Sequence, residues 1–131
     1  MEKDFTKFRS WMKTSVRCYT DERNGVLSVS SFNPKEIFGI VKRSYLEWLE
    51  KDCLIKSDWI KILEAMLELK EEEKQDAIRS YQIFRAEYDA LENPSQRDHY
   101  NIDYRASYLE DYLHCIDQDV EAIQEEVSKW S

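Results

Sequence analysis

A chain of 131 residues with 27 acidic and 19 basic side chains, a net charge of −8, and only two glycines and two prolines is a helix-rich globular sequence. Its pI near 4.8 argues against general binding to nucleic acid or anionic membrane, both of which need a basic surface. Three widely spaced cysteines (Cys18, Cys53, Cys115) and a start without an apolar leader segment fit a reduced cytoplasmic protein rather than a disulfide-stapled or secreted one.

Seventeen aromatics supply enough apolar area for a core, and the length suits one domain over 1–131. The composition predicts an all-α bundle of four to five helices. Phe5, Phe8, Met12, Val16 and Tyr19 recur at spacings of three and four, which predicts a first helix ending at a glycine cap near Asn24-Gly25. The segment from Val26 to Phe32 alternates weakly and reads as an extended loop, since no partner strand suggests itself nearby.

Asn33-Pro34-Lys35-Glu36 combines a capping side chain, a proline suited to the first helical position and a Glu placed to reach back. A second helix is therefore predicted from Pro34 to near Cys53, with Ile37, Phe38, Val41, Tyr45, Trp48 and Leu49 inward and Gly39 at a close helix approach. Ser57-Asp58 is the expected cap of a third helix. The polar run from Lys70 to Asp76 interrupts its apolar face, and one helix from Asp58 to Glu92 would be about 50 Å long. A bend or break between Lys70 and Gln75 is expected before Asn93-Pro94 ends the element.

The last helix has the most regular pattern: Ile102, Ala106, Leu109, Leu113, Ile116, Val120, Ile123, Val127 and Trp130 form a heptad seam. Seven acids against Lys129 alone give Ala106–Ser131 a net charge of −6. Acids flank the seam on both sides, including Asp103, Glu110 and Asp117 on one and Asp119 and Glu126 on the other, so two parallel copies would repel. Arg9, Lys13 and Arg17 make a basic stripe beside the apolar face of the first helix, which predicts that the first and last helices pack together.

The outer positions of the last helix hold Tyr100 and Tyr104 followed by Asp111, Glu121 and Glu125. Rigid aromatic area joined to carboxylates suits the capture of a basic protein, with the acids speeding association and the tyrosines slowing release. These five residues are the candidate partner-binding site. Tyr108 and Tyr112 advance towards the seam and read as core.

No catalytic or metal site is expected. His99 and His114 are the only histidines, Asp111-x-x-His114 occurs once rather than twice, and no Cys-x-x-Cys pair offers a zinc site. Arg97 with His99 and Arg105 with His114 do not match the Arg-to-His spacing of helical ribonucleases, and no phosphate-binding glycine loop is present. The expected function is a non-enzymatic inhibitor, without cofactor, that blocks a basic partner such as a nuclease toxin, in the manner of an immunity protein or a DNA-mimicking phage inhibitor. An adaptor subunit using the apolar seam is the alternative, and a helical enzyme the third reading.

Overall fold

The computed structural model describes residues 4–131. Four helices and one small hairpin follow in the order α1 (Phe5–Ser15), β1 (Tyr19–Arg23), β2 (Val26–Ser30), α2 (Pro34–Leu49), α3 (Lys56–Asp89) and α4 (Gln96–Trp130). The fold is a mostly helical bundle and not purely all-α.

α1 starts where the Asp4 carboxylate accepts the Thr6 N–H at 3.0 Å, and it buries Phe8 and Met12. It stops at Ser15, ten residues short of the glycine expected to cap it. Asn24 and Gly25 instead take positive φ angles of 53° and 79°. They are the two central residues of a tight hairpin turn, for which Asn-Gly is the preferred pair. β1 and β2 pair antiparallel from Tyr19 opposite Ser30 to Arg23 opposite Val26. The segment read as a partnerless loop thus has its partner in the segment read as the end of the first helix. Tyr19, which completes the apparent helical spacing, is 47% exposed.

α2 has Pro34 in its first turn, and Asn33 accepts the Glu36 N–H at 3.4 Å. It ends at Leu49, short of Cys53, with Glu50 in the left-handed region (φ 57°) and Lys51 donating back to the Leu46 carbonyl at 3.0 Å. Gly39 marks no close approach: a Cβ placed there meets nothing within 4 Å.

α3 begins at Lys56, so Ser57 and Asp58 lie in its first turn rather than capping it. It continues unbroken through Lys70–Gln75. The polar run does not interrupt the helix because Lys70 and Glu73 turn inward and are themselves buried. Ser95 and Asp98 then form a reciprocal capping box that opens α4: Ser95 Oγ accepts the Asp98 N–H at 3.1 Å and Asp98 accepts the Ser95 N–H at 2.8 Å.

α4 folds back along α3, its main neighbour, and carries β2 on its flank. The basic stripe of α1 does not serve α4. α1 packs on α2 and α3, and Arg9 meets Glu68 (3.4 Å) and Glu72 (3.3 Å) of α3. The main core gathers Phe8, Met12, Val41, Trp59, Leu63, Met66 and Ile123, and a smaller cluster of Cys18, Tyr112, Cys115 and Ile116 lies under the hairpin. Of the predicted seam, Ile102, Ile116 and Ile123 are buried and the other six positions are half-buried. Among the described residues, no helix is long and apolar enough to cross a membrane.

Candidate functional site

On an α-helix, Tyr100, Tyr104, Asp111, Glu121 and Glu125 fall within an arc of about 100°, spread over about 38 Å of α4. Along that length they separate into two groups. Tyr100 is 66% exposed and its ring stacks on that of Tyr104, with centroids 6.1 Å apart. Tyr104 is half-buried and occupied: its hydroxyl accepts the Leu27 N–H at 2.5 Å and lies 3.4 Å from the Leu27 carbonyl. It fastens β2 to α4, which leaves Tyr100 as the open ring of the pair. Asp111, Glu121 and Glu125 are exposed further along, the last two on successive turns.

The seven acids of residues 106–131 divide by use. Glu126 is internal: its Oε1 accepts from Trp59 Nε1 at 3.2 Å and from Trp130 Nε1 at 2.9 Å, beside Lys42 at 4.0 Å. Asp119 is completely buried. Glu110, Asp111, Asp117, Glu121 and Glu125 remain exposed, and none has an ion-pair partner among the described residues. On a helical wheel these five carboxylates share about a third of the circumference, along about 22 Å.

A second polar constellation sits under the hairpin. Lys70 Nζ lies 2.6 Å from Asp119 Oδ2 and 2.9 Å from Glu73 Oε1, with the Phe32 ring 4.7 Å away over the ammonium. Asp119 also accepts the Phe32 N–H at 2.9 Å and the Cys18 thiol at 3.1 Å. Glu73 Oε2 accepts the Cys18 N–H at 3.0 Å and the Tyr112 hydroxyl at 2.7 Å, with Arg17 Nε at 3.8 Å. Every one of these buried polar side chains has a partner, as burial demands.

Burial raises the Asp119 carboxyl above its ordinary range, against the pull of the Lys70 ammonium. Burial likewise pushes the Cys18 thiol far up, as it does the Tyr112 hydroxyl, which is raised further by its bond to Glu73. A sealed, fully bonded network whose thiol and phenol are held in their protonated forms is suited to fixing geometry and poorly suited to nucleophilic attack. Sequence reading places Asp119 beside the seam and Lys70 and Glu73 on a polar run where the helix is expected to bend or break. The available signal is that a seven-residue polar run without Gly or Pro is helical, and a continuous helix must turn some of those residues inward.

The two histidines stand apart. His99 Nδ1 meets the Tyr88 hydroxyl, and His114 Nε2 is 3.2 Å from the Gln118 amide. Among the described residues, no three His, Cys, Asp or Glu side chains are grouped so that they could hold a metal ion. No protein-family model matches the chain, and no curated protein or solved structure is detectably similar to it.

Proposed function

We propose that this chain is a non-catalytic protein-binding inhibitor whose acidic α4 face covers a basic surface on another protein. The observation that carries the reading is the set of five exposed, unpaired carboxylates on one face of α4, while Arg9 of α1 is taken up by α3. Charge concentrated in this way accelerates encounter with a basic target, and Tyr100 adds a rigid ring at the hairpin end. A nuclease toxin or another nucleic-acid-acting protein is the class of partner whose working surface fits such a face, as for immunity proteins and DNA-mimicking inhibitors. The adaptor alternative draws less support, because Ile116 and Ile123 of the seam are already core.

The test is affinity capture from the native source at low and moderate salt, comparing wild type with Asp111→Lys, Glu121→Lys. A basic protein held by the wild type, released by salt and not held by the variant supports the proposal. A partner held equally by both at either salt overturns it.

A further inference from the structure

Beyond the core, the outer half of α3 and the first half of α4 face each other across a cleft of about 210 Å³. Ala77 contributes a small side chain to its wall, while Tyr81 and Phe84 on α3 and Tyr108 on α4 line it with rings. Since α4 folds back along α3, Ala77 and Arg17 mark one end and Phe84 and Arg105 the other.

The two ends differ in charge. Arg17 is engaged by Glu73 at 3.8 Å, and Asp76 stands beside it in the lining. Arg105 lies against the Phe84 ring, 4.8 Å from its centroid, and has no ion-pair partner among the described residues. The Tyr108 hydroxyl, on the helical turn after Arg105, makes no hydrogen bond among the described residues. A free guanidinium therefore marks the outer end of an aromatic trough, with the Tyr108 ring on the next helical turn. At the inner end Asp76 disfavours a second negative group.

Size narrows the ligand further. A dry cavity of about 150 Å³ admits benzene. The cleft has room for one ring and a small substituent, and falls short of the roughly 300 Å³ at which drug-sized pockets begin.

We propose that this cleft binds a one-ring aromatic anion, its negative group on Arg105 and its ring between Tyr81, Phe84 and Tyr108. The site is distinct from the exposed carboxylates of α4 and does not depend on the inhibitor reading.

Titration of the ¹⁵N-labelled full chain with benzoate tests it, with acetate and benzyl alcohol as probes lacking the ring and the charge. Benzoate is expected to shift amides of residues 77–84 and 105–112 saturably, and acetate and benzyl alcohol to shift them far less. Arg105→Gln changes an exposed side chain and should weaken benzoate about tenfold or more, the loss that accompanies removal of a charged hydrogen bond. Ala77→Leu fills the trough and should abolish the shifts, with the thermal melt confirming its fold. Absence of saturable shifts at millimolar benzoate, or equal affinity in Arg105→Gln, overturns the proposal.

Discussion

Lys70 and Asp119, 49 positions apart in the chain, meet at 2.6 Å with no solvent-exposed surface on either side chain. Their contact joins α3 to α4 at the level where the hairpin crosses. A charge pair in that position has no water to fall back on, so each partner depends on the other.

Removing one partner is therefore much worse than removing both. Lys70→Met leaves Asp119 and Glu73 buried without their cation and should lower stability by about 3 to 5 kcal/mol, a large part of the about 5 to 15 kcal/mol typical of a domain. Lys70→Met combined with Asp119→Leu should recover much of that loss, because Glu73 keeps Tyr112, Arg17 and the Cys18 amide. Urea denaturation of wild type and both variants reads the difference; a single variant as stable as wild type contradicts the buried pairing.

The hairpin has its own weak points. Tyr104→Phe removes the hydroxyl that bonds Leu27 and should cost about 1 kcal/mol, with faster amide exchange at Leu27 and its neighbours. Gly25→Ala forces an L side chain into φ 79°, and although no atom stands within 4 Å of the new Cβ, the backbone strain costs about 1 to 2 kcal/mol. Both effects should be visible by exchange measured residue by residue, and should leave α2 unchanged.

The three thiols should separate cleanly. Cys53 is exposed, whereas Cys18 and Cys115 are buried and burial raises both thiols. At mildly alkaline pH a disulfide reagent should titrate one thiol per native chain and all three after denaturation. More than one fast thiol in the native protein would mean the cluster under the hairpin opens readily.

Acid should act on the start of α4. The backbone bond from Ser95 holds the Asp98 carboxyl below 3.8, so its contribution is present above that value and is lost as pH falls through the lower, folded-state value. Asp119 has the opposite sign: its raised folded value makes protonation favour the native state, a contribution that fades as pH rises from 3.8. Protection of the first-turn amides of α4, measured relative to their intrinsic exchange rate at each pH, should therefore fall on acidification below 3.8, and Asp98→Asn should remove most of that loss.

The helices that are plain in the sequence are those with local signals. Asn33-Pro34 fixes the start of α2, Asn93-Pro94 the gap before α4, and the seam spacing the length of α4. The hairpin is hidden because Val16 and Tyr19 extend the helical spacing of Met12 by chance, while the decisive pair, Asn24-Gly25, serves equally well as a helix cap or a hairpin turn. Only the partner strand distinguishes the two. Lys70, Glu73 and Asp119 are invisible for a related reason: a buried charge is recognised by what it meets, and its partners lie on other elements. Of the candidate contact residues, Tyr100, Asp111, Glu121 and Glu125 lie on the surface as their outer positions suggest, whereas Tyr104 is drawn in by a strand that the pattern does not announce.

Asp119 takes hydrogen bonds from Cys18 and Phe32, one residue before the hairpin and two after it. It closes a loop of 15 residues as a disulfide would, yet the tie exists only in the folded chain and so removes no freedom from the unfolded one. A two-stranded hairpin is at best marginal alone in water. Residues 18–32 are therefore expected to order only once α3 and α4 have docked, with the hairpin a late, dependent step of folding rather than a nucleus for it.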